Sequence, residues 1–128
     1  GEMERLQQSL QAISEVIPEM KGKLDGIAVR TPTFDGSLVD LAVVIEKETS
    51  AEDINAAFKK AATDSPLSVT LQYCEDPIVS VDVIGNPNGC VFDSLLTAAH
   101  GDLAKVYGWY DNEWGFSMRM VDMLKMML

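Results

Sequence analysis

The chain has 128 residues, with 20 acids against 10 bases for a formal net charge of −10. That length suits one domain with a single core, and 47% hydrophobic with 23% charged residues excludes a disordered tail. No apolar run reaches the roughly 18 residues of a membrane helix, the charged first 20 residues are no signal peptide, and so acidic a chain is ill suited to nucleic acid.

Met3, Leu6, Leu10, Ile13 and Ile17 recur at helical spacing, so residues 3–17 are expected to form an amphipathic helix docked on its own domain. Two heptads are too few for a coiled coil. Pro18 and Gly22 are expected to close the helix. The period then changes to two. Residues 24–33 read as a strand, with turn chemistry at Thr31–Gly36 and a second strand over residues 37–48. In that second strand Val39, Leu41, Val43 and Ile45 share one face. The short connection favours antiparallel neighbours.

Ser50 followed by Glu52 and Asp53 marks a helix start, with Ile54, Ala57, Phe58 and Ala61 as its buried stripe. Lys59 and Lys60 suit the dipole at its end, and Asp64, Ser65 and Pro66 stop it. Residues 68–74, 79–84, 90–95 and 103–110 read as further strands, with a dense turn at Gly85–Gly89 between two of them. Residues 113–128 form a Met-rich helix. The whole reads as one α+β domain over residues 1–128: a mixed, largely antiparallel sheet with helices packed on one face.

Generic chemical motifs are missing. There is no Gly-rich phosphate loop after a strand and no GxSxG elbow, and the carboxylates form no obvious catalytic pair. Cys74, Cys90 and His100 have no zinc-ligand spacing, so no metal is expected. Two cysteines are too few for a disulfide framework and imply free thiols in a reducing, cytoplasmic setting. Glu75 and Asp76 are poor neighbours for a nucleophilic Cys74, Cys90 opens a strand, and His100 falls in an expected loop.

The segment Trp109-Tyr110-Asp111-Asn112-Glu113-Trp114-Gly115-Phe116-Ser117 is specific. It closely resembles the WYDNEWGYS signature of glyceraldehyde-3-phosphate dehydrogenases. Residues 16–24, VIPEMKGKL, resemble that family's VIPELxGKL, and residues 26–41, GIAVRTPTFDGSLVDL, its GxAxRVPTxxxSxVDL. Asp76–Ser80 and Ile84–Pro87 follow in family order, so the resemblance covers residues 16–128.

The resemblance implies part of a catalytic domain that normally works beside a nucleotide-binding domain, with NAD or NADP as hydride acceptor. A cysteine thiolate in an SCTTN segment and a histidine downstream of it do the family's chemistry. Both lie upstream of the matched region, so the resemblance implies a chain without catalytic residues that binds no cofactor alone. Two positions carry over. Arg30 matches an arginine that binds substrate phosphate, for which a guanidinium fork is suited, or it makes a local ion pair at a strand end. Asn112 matches an asparagine that hydrogen-bonds the nicotinamide carboxamide, or it caps the following helix. Phe116 replaces the usual tyrosine and removes a hydroxyl from the cofactor side.

The N-terminal helix departs from the family's small-residue stretch. Leu10 and Ile13 there suggest a helix that covers an exposed core, as in an engineered or otherwise truncated domain. The expected partners are a second copy of the chain, as a homo-oligomer, or a separate nucleotide-binding domain. Neither nucleic acid nor a membrane is expected. The family's sheet takes part in subunit association, which leaves a self-associating interaction module as the alternative function.

Overall fold

The computed structural model describes residues 2–128, and the side chains of all of these except residues 2, 3, 5 and 6. Met3 and Leu6 of the expected stripe therefore lie outside the described side chains. The chain forms two compact units, Gly1–Pro32 and Thr33–Leu128. In the first, α1 spans Glu2–Val16 and a single 3-10 turn follows over Pro18–Met20. Leu10 is half-buried, whereas Ile13 and Ile17 are exposed. Pro18 opens the 3-10 turn, as a residue without an N–H can do at a helix start.

The expected strand over residues 24–33 does not form; residues 24–31 have no regular secondary structure. A period of two encodes an extended chain, but a strand needs a ladder partner as well. The neighbour expected for that segment, β1 (Ser37–Val44), pairs with the distant β5 (Leu103–Tyr110) instead, in eight antiparallel steps from Ser37 opposite Tyr110 to Val44 opposite Leu103.

The second unit is built on this pair. Between its two members run α2 (Ala51–Asp64), β2 (Leu71–Cys74), β3 (Cys90–Asp93) and β4 (Ala98–His100), and α3 (Asn112–Met126) follows β5. The sheet order is β1-β5-β3-β2, with β4 also on β5. Every pairing is antiparallel except β2 with β3. The α+β class with a mixed, largely antiparallel sheet is as expected.

Several of these elements have a local cause. The Ser50 side chain accepts from Asp53 N at 3.1 Å and caps α2. Lys59 turns from the helix end to Glu75, 2.9 Å away. The expected strand over 79–84 is instead a 3-10 turn, Ser80–Val83. There the Asp82 carboxylate accepts from Val79 N at 2.8 Å, and Val83 alone of the four is buried. The strand expected over 90–95 stops at Asp93, whose carboxylate accepts from Leu95 N at 3.1 Å and folds the chain into a turn. His100, expected in a loop, ends β4. A two-residue Gly101-Asp102 connection leads from it into β5, with Gly101 at φ 62, as a type II′ hairpin requires.

The core lies on both faces of β2 and β3. On one face Leu71, Phe92 and Val106 pack under Ile54, Phe58, Ala61 and Ala62 of α2. Phe92 is 1% exposed and its ring stacks on Phe58, centroids 4.0 Å apart. On the other, Cys74, Val83 and Val91 pack with Ile78 and Trp109. Val39 and Leu41 of β1 share the first face through their partners Gly108 and Val106, yet α2 leaves them exposed.

Candidate functional site

The site follows from where an apolar strand ends. Residues 103–110 alternate into the sheet, and Asp111 then interrupts the ladder and starts a helix. Its Oδ1 accepts from Trp114 N at 2.7 Å and Glu113 N at 3.0 Å, satisfying two amides of the first turn of α3. Its Oδ2 accepts from Gly85 N at 2.7 Å, in the turn before β3. Asp111 is 3% exposed. The Gly85 and Trp114 amides, with a smaller part from Glu113, hold its carboxyl below the usual value against the opposing effect of burial.

Other residues of the segment also serve the fold. Trp109 Nε1 donates to the buried Asp93 carboxylate at 3.0 Å. Gly115 is buried under the turn, where a Cβ would lie 3.1 Å from Asn88 O. Ser117 donates to Glu113 O at 2.8 Å. Arg119, further along α3, donates to Val69 O and Pro87 O at 3.3 Å and pairs with Asp122 at 2.7 Å.

Asn112 is exposed. The cap falls on Asp111, one residue earlier, so the asparagine side chain is not used as one. Its Oδ1 accepts from the Ser37 hydroxyl at 2.8 Å, which joins the start of β1 to the start of α3. Its Nδ2 has no protein acceptor among the described residues. Trp114 and Phe116 are exposed beside it in sequence, at 50% and 67%. Arg30 is exposed in the irregular segment 24–31 of the first unit, whereas Asn112 belongs to the second.

Cys74 and Cys90 are both free. Cys74 is buried, its Sγ 3.6 Å from Asp76 O. Burial pushes the Cys90 thiol above its ordinary value of 9.0. His100 is exposed. No cluster of three metal-ligating side chains occurs among the described residues. No described helix is long and apolar enough to cross a membrane.

Sequence reading missed Asp111, Asp93 and Ser37. Asp111 was findable: an acid at a strand end, two residues before Glu113, has the form of a helix start. Ser37 carried no signal, because its partner lies 75 residues on.

A family model for the C-terminal domain of glyceraldehyde 3-phosphate dehydrogenase matches residues 7–112. The chain belongs to that family. It is 52% identical over 113 residues to glyceraldehyde-3-phosphate dehydrogenase of Streptomyces coelicolor, covering 88% of this chain and 34% of the relative. To the dehydrogenase of Zymomonas mobilis it is 51% identical over 112 residues, covering 87% and 33%. To that of Mycobacterium tuberculosis it is 50% identical over 113 residues, covering 88% and 33%. This dehydrogenase C-terminal domain thus spans about a third of the length of the curated relatives it matches.

Proposed function

We propose that this chain is the catalytic-domain portion of a glyceraldehyde-3-phosphate dehydrogenase, that beside a nucleotide-binding domain it supplies one contact to the nicotinamide and one to the substrate phosphate, and that alone it neither binds the cofactor nor oxidises aldehyde. Asn112 carries the reading. Its Oδ1 is oriented by the Ser37 hydroxyl, and its Nδ2 is left to donate to an acceptor such as a nicotinamide carboxamide oxygen. The residues fit that one contact with NAD or NADP, while a separate nucleotide-binding domain would hold the rest of the cofactor. When bound, the nicotinamide supplies the hydride acceptor. Arg30 would hold the substrate phosphate by paired, charge-assisted hydrogen bonds.

Neither thiol suits nucleophilic attack. Cys74 is enclosed in the core, and burial keeps Cys90 protonated. A nucleophile and its base would come from an SCTTN-bearing segment supplied with the nucleotide-binding domain, in the cytoplasm. The test is the purified 128-residue chain with glyceraldehyde 3-phosphate, phosphate and NAD or NADP. No nucleotide reduction is expected alone, and turnover overturns the reading. Mixing with the complementary piece should restore activity that Asn112→Leu and Arg30→Leu each impair.

A second reading, a self-associating module, is favoured by the exposed Met120, Met123, Met126 and Met127 on and after α3, an adaptable apolar surface. A strictly monomeric species by light scattering across concentrations removes it.

A further inference from the structure

The turn under the start of α3 contains the dipeptide Asn88-Gly89, and both residues make specific contacts there. Asn88 Nδ2 donates to Gln72 Oε1 at 3.1 Å and Asn86 Oδ1 at 3.0 Å, while Asn86 Nδ2 donates to the same Gln72 oxygen at 2.8 Å. This amide network ties the turn to β2. At position 89 a Cβ would collide with the Thr70 hydroxyl, so any residue other than glycine requires Thr70 to move. This dipeptide is also the one most prone to losing ammonia, because no Cβ shields the amide of a glycine from the preceding carboxamide.

We propose that Asn88-Gly89 is a spontaneous modification site, that the Thr70 hydroxyl restrains its deamidation, and that the product loosens the turn beneath α3. In the reaction the Gly89 nitrogen gives its proton to solvent base and attacks Asn88 Cγ. A C–N bond forms and Nδ2 leaves as ammonia, producing a five-membered succinimide. Water then adds to either ring carbonyl and opens it to aspartate or isoaspartate. Nothing is oxidised or reduced, and water is the sole co-reactant.

In the folded chain the attacking group is occupied. Gly89 N donates to Thr70 Oγ1 at 3.2 Å, and the neighbouring Cys90 N donates to Thr70 O at 3.1 Å. Attack therefore needs a local opening that releases the Thr70 bond and frees the carboxamide from Gln72 and Asn86. The product reverses the network's polarity. A carboxylate at position 88 has no hydrogens for the two oxygens it faces. Isoaspartate also lengthens the backbone between residues 88 and 89, where Gly115 of α3 packs against Asn88 O and Gly89 Cα.

The test is incubation of the full chain at mildly alkaline pH, with peptide mapping by mass spectrometry and enzymatic isoaspartate detection. Wild type, Thr70→Val and Thr70→Ser are compared, and wild type in urea provides the unrestrained rate. Urea unfolding of each variant gives its globally unfolded fraction. Wild type should deamidate at Asn88 well below the urea rate. Thr70→Val should be about five-fold faster than wild type, the factor one ordinary hydrogen bond supplies, and Thr70→Ser close to wild type. The aged, modified fraction should unfold at lower urea than fresh protein. The proposal is overturned by a wild-type rate equal to that in urea, by no acceleration in Thr70→Val, by an acceleration no greater than its globally unfolded fraction accounts for, or by modified protein as stable as fresh.

Discussion

Asp111 joins two parts of the chain that are 26 residues apart, and its two oxygens do separable work. Oδ1 caps α3 through Glu113 N and Trp114 N, while Oδ2 holds Gly85 N at 2.7 Å. Asp111→Ala removes both. Loss of a cap costs about 0.5–2 kcal/mol, and a part-buried N–H left without an acceptor costs about 1–3 kcal/mol. The two together give about 1.5–5 kcal/mol. Asp111→Asn keeps an oxygen for the cap, since asparagine caps as well as aspartate, but turns an amide N–H₂ toward Gly85 N–H. Its cost is then the second contribution alone, about 1–3 kcal/mol.

Urea unfolding followed by circular dichroism measures both variants. The carboxyl is held below its unfolded value of 3.8 chiefly by the Gly85 and Trp114 amides. Its stabilisation is therefore complete above that pH and is lost as pH falls through the lower, folded value. The gap between wild type and Asp111→Asn should shrink with acidification over that window. If Asp111→Asn matched wild type at neutral pH, the Gly85 bond would carry no weight. If Asp111→Ala cost less than about 0.5 kcal/mol, the cap would fail too.

Phe92→Ala should cost about 3–5 kcal/mol in urea unfolding, because the ring is 1% exposed, stacks on Phe58 at 4.0 Å and lies 5.7 Å from the Tyr73 ring. Gly36→Ala should lose more than about 1 kcal/mol, since Gly36 has φ 84 and its Cβ would lie 2.6 Å from Ser80 O; a neutral result in thermal melts would contradict this turn geometry. Cys74 and Cys90 should react with a thiol reagent far more slowly in the folded chain than in urea. The Cys90 rate should still be rising with pH above 9.0, and native rates equal to those in urea would refute their enclosure. Ser37→Ala should change stability by less than about 0.5 kcal/mol, yet raise the KM for nicotinamide nucleotide in a reconstituted enzyme; an unchanged KM would separate Ser37 from cofactor binding.

Legibility in the sequence followed the range of the interaction. The α2 cap was readable because Ser50 and Asp53 are three residues apart, and helix capping is a local contest for amide donors. Residues 80–83 were not, because alternating Ser-Val-Asp-Val suits a strand as well as one helical turn, and only the Asp82 bond to Val79 N decides. The candidate site was half legible. The signature drew attention to residues 109–117, but most of that segment serves the fold, through Asp111 on Gly85, Trp109 on Asp93 and Gly115 beneath Asn88.

An acidic composition, an α+β order of elements and the family's signature were settled by the 128 residues themselves. Hydrophobic period and capping chemistry act over a few residues, so they survive in one dimension. Tertiary structure decided what pairs with what. Residues 24–31 have no ladder, β1 takes the distant β5, and β2 lies parallel to β3. Ladder partners, the Ser37 bond to Asn112 and the Gly85 bond to Asp111 each join residues far apart in the chain. No local preference encodes such pairs, because each joins residues that only the folded chain brings together.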